Sequence, residues 1–172
     1  MTENIQNLLA TAKNGSREEI WEAAKELTSI ATEIASSLLS LLQKAERFET
    51  RAAAAYVLGF GRFASARIPL EQVLDDTDED ASVRGHAAEA LAYIRGRESV
   101  DVLLKHLLDK DPGIKYWCAF ALGQIGDVKA LPALKNLAGS VGDQFYETHS
   151  LRAEILDAIA EINQRVASNG NT

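Results

Sequence analysis

Cysteine, basic residues and long apolar runs are scarce in this sequence of 172 residues. Cys118 is the single cysteine, so no disulfide can form within the chain, and we expect the cytoplasm as its compartment. Lys and Arg number 18 against 25 Asp and Glu, which gives a net charge of −7. Because affinity for phosphate backbones and anionic membranes comes from clustered cations, we expect neither nucleic acid nor membrane as partner. No apolar run reaches the roughly 18 residues that a membrane span needs.

A calcium loop is suggested by an acidic run but is incomplete. Asp76, Asp78 and Asp80 stand at the first, third and fifth places of an EF-hand loop. Ala81 occupies the place where the sharp turn needs glycine, and Ala87 the place of the bidentate glutamate. We therefore interpret the run as a solvated turn that caps a helix, and we expect no metal and no cofactor.

Catalytic motifs are equally weak. His86, His106 and His149 lie in different segments, and none has a zinc-site spacing. Residues 59–64 spell GFGRFA, which matches a dinucleotide fingerprint by letters but follows a predicted helix instead of a strand, so we interpret it as a glycine turn that ends a helix. Cys118 falls on a face that packs, where a thiol serves as a small apolar group. These observations predict a protein without catalytic residues.

Internal repetition organises the chain. The segments that begin at Arg51, Arg84 and Lys115 read RAAAAYVLGFG, RGHAAEALAYI and KYWCAFALGQI, and weaker copies begin at Arg17 and Arg152. We number the cation that begins each segment as position 0, which places Leu at position 7 in the three strong copies and small residues at positions 3, 4 and 6. A period of 31 to 37 residues with helical spacing inside each unit is typical of solenoids built from helix pairs.

The predicted fold is therefore all-α, a right-handed α-α superhelix of about five helix pairs. The repeats begin near residues 17, 51, 84, 115 and 152, and we expect one domain over residues 1–167. Ser16 and Glu19 form a capping box at the start of the first repeat, after a leading helix that we expect to cap the stack. Residues 168–172 have the composition of a flexible tail.

The residues that carry the repeat also resemble a known family. The turns Asp78-x-Asp80-x-x-Val83-Arg84 and Asp109-x-Asp111-x-x-Ile114-Lys115, with the helices that follow, are similar to HEAT-like repeats of the phycobilisome (bilin) lyase type. The resemblance covers residues 51–138 well and both ends loosely. It implies that the turn Asp bonds backbone amides or the basic residue six positions later, in a ladder of Asp78 with Arg84 and Asp109 with Lys115.

The same repeat type is shared by lyase subunits, chaperone-like scaffolds, glycosylases of alkylated DNA bases and deoxyhypusine hydroxylase, so it fixes the fold better than the function. Deoxyhypusine hydroxylase needs His-Glu pairs, and no His here is followed by Glu. The acidic charge disfavours a glycosylase. We predict a noncatalytic scaffold or adaptor that binds a basic or amphipathic protein. The alternative that the resemblance implies is a subunit of a bilin lyase-type complex, or a chaperone acting on a chromophorylated protein.

Two surfaces are candidates for the contact. On the side of the first helices opposite the packing face we expect an outer aromatic stripe, made of Tyr56, Phe60, Tyr93, Tyr116 and Phe120. The stripe binds a partner, such as a second copy of this chain, or it is covered by the ends of the chain, or it consists of the single exposed aromatics that are normal on protein surfaces. On the second helices, Leu104 and Leu108 form an exposed apolar pair in one helical phase. In a phase shifted by one residue they are core and His106 is exposed.

Overall fold

A computed structural model describes residues 3–28, 34–142 and 144–169. The chain divides into two compact units, Met1–Ile94 and Arg95–Thr172, which we describe separately as unit 1 and unit 2. The boundary falls within the third predicted repeat, directly after its first helix. The predicted all-α class is confirmed, since α-helices make up most of both units.

Unit 1 contains a leading helix, two helix pairs and the first helix of a third pair. Helix α1 packs on α2, as expected of a helix that caps the first repeat. The first helices α2, α4 and α6 contact one another in sequence, and the second helices pack beside them. The bounds are α1 Glu3–Asn14, α2 Arg17–Thr28, α3 Ala35–Lys44, α4 Phe48–Phe60, α5 Arg67–Asp75 and α6 Ala81–Ile94.

The described residues of unit 2 form four α-helices, two short 3-10 helices at Arg97–Ser99 and Val128–Ala130, and a small hairpin. Helix α10 begins the fifth predicted repeat and packs on both helices of the fourth. A two-stranded antiparallel hairpin precedes α10 and pairs Phe145 with Ser150 and Tyr146 with His149. The bounds are α7 Val100–His106, α8 Pro112–Ile125, α9 Leu131–Ser140, β1 Phe145–Tyr146, β2 His149–Ser150 and α10 Leu151–Asn169.

The core follows the repeat register. Leu58, Leu91 and Leu122 at position 7 have no exposed surface, which confirms the predicted packing face. Cys118 is also fully buried, as expected of a small apolar residue.

Short polar motifs in the sequence mark the starts of helices α2 and α8. The Ser16 amide donates to Glu19 Oε2 at 2.7 Å and the Glu19 amide to Ser16 Oγ at 3.3 Å, so the predicted capping box is present. The backbone and hydroxyl of Ser16 lower the pKa of Glu19. Asp111 caps α8 in the same manner, because its Oδ1 accepts from the amides of Gly113 and Ile114.

Three local expectations need correction. The hairpin at residues 145–150 was not predicted, because two strands of two residues are too short to show an alternating pattern. Helix α10 continues to Asn169, two residues into the segment that we expected to be a tail, and residues 170–172 lie outside the described residues. Helix α4 ends near its glycines as expected, but the left-handed residue there is Arg62, and Gly59 lies inside the helix.

Gly59 has a packing role instead. A Cβ atom at Gly59 would lie 2.5 Å from Ala90 Cα on α6, so α4 and α6 cross at a distance that only glycine permits. Gly123 on α8 has the same relation to Ala158 on α10, whose Cα would lie 2.9 Å from an added Cβ. Close crossing of first helices is therefore a shared feature of both units.

Candidate protein-binding surface

Four aromatic rings from three helices contact in series on unit 1. The centroid of Trp21 on α2 lies 5.7 Å from that of Tyr56 on α4, edge to face. Tyr56 and Tyr93 each lie 4.4 Å from Phe60, centroid to centroid. We call these four residues the ring row. Phe60 is 39% exposed and its three companions are half-buried, so the row presents one accessible ring supported by its neighbours.

A buried carboxylate lies beneath the ring row. Glu89 is 8% exposed, and its Oε2 is 3.0 Å from Nδ1 of His86. The His86 ring in turn lies 4.9 Å from Trp21. Burial raises the pKa of Tyr93, and the nearby carboxylate of Glu89, which accepts a hydrogen bond from the Tyr93 hydroxyl, adds to the effect. The row is thus fixed by polar contacts on its inner side and is accessible at Phe60.

Unit 2 contains a second group of rings, to which the hairpin contributes two members. The ring of Tyr116 lies 5.3 Å from Trp117, 5.6 Å from Tyr146 and 5.9 Å from His149, between centroids. Trp117 also contacts Phe120 at 5.7 Å. We call these five residues the hairpin cluster. Two of its members come from β1 and β2, so the hairpin packs against α8. His149 is exposed, and the other four rings are half-buried.

Acidic side chains of α10 border the hairpin cluster. Burial raises the pKa of Tyr116 far above its ordinary value, and the carboxylate of Glu154, which accepts from the Tyr116 hydroxyl, contributes further. Burial likewise raises the pKa of Glu154, with added effects of Asp157 and Glu161, while the Tyr116 hydrogen bond opposes the rise. The Tyr116 hydroxyl is therefore a structural donor that holds α8 to α10.

The predicted aromatic stripe is therefore distributed between two different environments. Tyr56, Phe60 and Tyr93 belong to the ring row, whereas Tyr116 and Phe120 belong to the hairpin cluster. Sequence reasoning missed the partners that complete each group, which are Trp21, His86 and Glu89 in unit 1 and Trp117, Tyr146, His149 and Glu154 in unit 2. A sign of Trp21 was available in the sequence. It is a large ring at position 4 of the weak first repeat, where the three strong copies carry alanine.

The phase of α7 is resolved by burial. Leu108 is 83% exposed, Leu104 is half-buried, and His106 is 4% exposed with its Nδ1 3.5 Å from Asp109 Oδ2. The structure therefore matches the phase in which His106 is inside. Leu104 and Leu108 differ too much in exposure to act as one apolar pair.

One of the two contacts that the resemblance implies for the turn Asp, a bond to a backbone amide, is present in unit 2, whereas in unit 1 Arg84 donates to a backbone carbonyl. Arg84 is 4% exposed and its Nε donates to the Leu74 carbonyl at 3.1 Å, while Asp78 is exposed in the turn. The Lys115 ammonium donates to Gln144 Oε1 at 3.2 Å, and Oδ1 of Asp109 accepts from the Asp111 amide.

Arg51 and Glu79 form an ion pair that was not among the predicted Asp–Arg and Asp–Lys pairs. Its Nε and Nη2 each lie 2.6 Å from a carboxylate oxygen of Glu79, and its Nη1 donates to the carbonyls of Ala45 and Glu46. The pKa of Arg51 is raised by the hydrogen bond to Glu79. The pair borders a shallow groove of about 370 Å³ between α3 and α5, whose other lining residues include Lys44. The groove is polar and of mixed charge, which makes it a poorer apolar contact than the ring row.

Within residues 3–28, 34–142 and 144–169, no three His, Cys, Asp or Glu side chains are grouped so that they could hold a metal ion. No helix in those ranges combines the length and apolarity needed to cross a bilayer. Every buried side-chain nitrogen or oxygen there has a hydrogen-bond partner.

Paired helices with a recurring register define a helical-repeat protein. A family model described as HEAT repeats matches residues 68–153, half of the chain, and the chain belongs to the HEAT-repeat family. The family resemblance inferred from the turn motifs is thereby confirmed.

Comparisons with individual proteins agree with this assignment. One chain of the complex of CpcE and CpcF of phycocyanin lyase from Nostoc sp. PCC7120 superposes with a TM-score of 0.76 at 20% identity, covering 90% of this chain and 96% of that one. A computationally designed armadillo repeat protein for modular peptide recognition superposes with a TM-score of 0.57 at 20% identity. The superposition covers 93% of this chain and 86% of the designed one. At 20% sequence identity, these two superpositions show that the fold is similar.

A curated protein matches part of the sequence. Deoxyhypusine hydroxylase-B of Oryza sativa subsp. japonica is 38% identical over 71 residues, which are 41% of this chain. The match spans 24% of the length of that protein. The match therefore shows local sequence similarity to about a quarter of that enzyme.

Proposed function

We propose that the protein is a noncatalytic binding module whose ring row contacts a partner protein. The observation that supports the proposal most strongly is the exposure of Phe60 at the centre of a row of rings held in place by their neighbours. Aromatic side chains on a rigid base bury a large area at little cost in rotamer entropy, which is why they dominate binding energy at many interfaces.

The chemistry of the surroundings favours a basic or amphipathic segment as the partner. The chain carries a net charge of −7, and the buried carboxylate of Glu89 contacts His86 and Tyr93 of unit 1. Lys and Arg side chains can place their apolar stems on aromatic faces while their charges approach acidic groups. A cytoplasmic location is part of the proposal and agrees with a single, buried cysteine that forms no disulfide.

Changing Phe60 to Ser is expected to weaken partner capture by at least about tenfold, because aromatic rings contribute much of the binding energy at interfaces. A tenfold loss of affinity corresponds to roughly 1.4 kcal/mol. Because the ring is 39% exposed and stacks on Tyr56 and Tyr93, its loss should lower the melting temperature by a few degrees and leave the chain folded, which circular dichroism checks. The measurement is quantitative mass spectrometry of proteins retained from the native host by the wild type, by Phe60→Ser and by Ile68→Ser. Ile68 is 55% exposed in the same unit and provides a matched control. Retention of the same proteins at the same levels by all three would contradict the proposal.

A second candidate is a subunit of a bilin lyase-type complex. It is favoured by the extent of the likeness to the phycocyanin lyase chain, which covers nearly the whole of both proteins. Incubation with a bilin, an acceptor protein and a second HEAT-like chain would test it. Covalent chromophore that stays with the acceptor in a denaturing gel, and only when this chain is present, would establish the lyase function.

A further inference from the structure

The ring row carries two polar atoms that the described part of the chain does not use. Within that part, neither the indole N–H of Trp21 nor the hydroxyl of Tyr56 has a hydrogen-bond partner. Every buried side-chain nitrogen or oxygen there does have one, so these two atoms are accessible from the surface. Trp and Tyr usually find a hydrogen-bond partner for these groups when they are buried. A partner that covers the row therefore has to supply acceptors for both.

The remaining polar groups of the row are paired within the chain. The Tyr93 hydroxyl donates to Glu89, and Oε2 of Glu89 lies 3.0 Å from Nδ1 of His86. An indole N–H can only donate, and a phenol hydroxyl can both donate and accept. The row thus offers a partner two donors, from Trp21 and Tyr56, against one acceptor on the Tyr56 oxygen.

This excess of donors selects the kind of segment that fits. The backbone carbonyls of a helix are used by the helix itself, apart from those of its last turn. An extended strand offers carbonyls together with N–H groups, and the row has too few acceptors to satisfy them, which is costly on burial. Proline has no N–H, and a polyproline II helix has no internal hydrogen bonds, so all its carbonyls are free. A proline-rich segment therefore matches the row best.

The dimensions of the row agree with such a segment. Successive ring centroids, from Trp21 through Tyr56 and Phe60 to Tyr93, are 5.7, 4.4 and 4.4 Å apart. Because a polyproline II helix rises about 3.1 Å per residue, roughly five residues are long enough to cover the row. Phe60 is 39% exposed and provides an apolar surface of the type on which proline-rich segments dock.

We propose that the ring row binds a proline-rich segment of its partner in the polyproline II conformation. The N–H of Trp21 and the hydroxyl of Tyr56 donate to backbone carbonyls of that segment, and its pyrrolidine rings lie on Phe60. This inference rests on the proposed function, because it uses the same surface, and it adds the conformation and chemistry of the bound segment. A basic partner can contain such a segment or a helix, so hydrogen bonding decides between the two and charge does not.

The test compares two uncharged peptides on the full chain. The probe is an end-blocked peptide of six prolines, and the control has three alanines and three serines in their place. Binding is followed through the indole N–H resonances of the two Trp residues, of which Trp117 belongs to unit 2. We expect the Trp21 resonance, assigned with Trp21→Phe, to shift with the proline peptide while that of Trp117 stays. The proline peptide should bind at least about tenfold more tightly than the control.

Conservative variants test the two donors separately. Tyr56→Phe removes the hydroxyl and keeps the ring, and Trp21→Phe removes the N–H and keeps an aromatic side chain. Each should weaken binding of the proline peptide by about three- to tenfold, the effect of losing one hydrogen bond. Tyr146→Phe makes the matched change in unit 2 and should leave the affinity unchanged. Melting curves of the three variants, recorded by circular dichroism, show whether they fold.

Equal affinity for the two peptides would overturn the inference, and so would an affinity for the proline peptide that ignores both Tyr56→Phe and Trp21→Phe. Tighter binding of a basic amphipathic helical peptide, lost in Phe60→Ser, would also overturn it, because the segment on the row would then be helical. Each of these results leaves the proposed function standing if Phe60→Ser still lowers the capture of host proteins. Unchanged capture and unchanged peptide binding in Phe60→Ser would contradict both.

Discussion

Truncating Leu58, Leu91 or Leu122 to Ala is expected to lower the free energy of unfolding by about 2 to 5 kcal/mol for each substitution. Each side chain is completely buried at position 7 of its repeat. Removing three carbon atoms therefore loses apolar burial and leaves a cavity that the rigid helix pair fills only in part. The three positions should respond alike because the repeat places them in equivalent surroundings.

Urea denaturation followed by circular dichroism measures these losses, and Leu108→Ala is the matched control. Leu108 is 83% exposed, so the same chemical truncation there should change stability by less than about 0.5 kcal/mol. A change this small at all three buried positions would mean that the repeat register is wrong.

Adding a single methyl group at Gly59 is expected to lower the free energy of unfolding by about 1 to 3 kcal/mol, a typical cost of overpacking. Helix propensity acts in the other direction, because Ala is about 1 kcal/mol more favourable than Gly inside a helix. Packing decides the sign, since the new Cβ would lie 2.5 Å from the Cα of Ala90 and only a shift of one helix against the other relieves that contact.

Gly139→Ala separates packing from propensity. Gly139 also lies within a helix, but a Cβ built there meets no atom within 4 Å. This control should gain roughly 0.4 to 1 kcal/mol through the reduced entropy of the unfolded chain. Stabilisation by both substitutions in thermal melts would show that α4 and α6 do not cross closely.

The repeat period and helix starts could be predicted because they depend on local rules. Leu at position 7 and the Ser16–Glu19 box each follow from helical geometry within one segment. The lateral contacts could not be predicted in the same way. They depend on the offset between neighbouring helices, in which position 8 meets position 6, and a single helical wheel contains no information about that offset.

The aromatic stripe illustrates this difference. The wheel correctly groups Tyr56 with Phe60, which contact within one helix. It treats Tyr116 as an equivalent exposed ring, whereas the hairpin brings Tyr146 against it and Glu154 accepts its hydroxyl hydrogen bond. The hairpin lies outside the repeat pattern, so the contact of Tyr146 with Tyr116 could not be predicted from the repeat period.

The division between the two aromatic groups has a functional consequence. The rings of the hairpin cluster contribute to the stability of unit 2. Removing one of them would lower stability, and a loss of binding could then result from unfolding. Phe60 combines exposure with close support from Tyr56 and Tyr93. It is the most exposed ring of the ring row, so binding is tested there, and a melting curve of the variant separates loss of binding from loss of stability.

Photo-cross-linking from position 60 tests the proposed contact most directly. Benzoylphenylalanine in place of Phe60 preserves an aromatic ring at the centre of the ring row, and the same group in place of Ile68 reports on an exposed position elsewhere in unit 1. Irradiation in the native host should give a defined adduct with a partner protein from position 60 and little or none from position 68. Adducts of equal yield from both positions, or a partner captured only from position 68, would contradict the account.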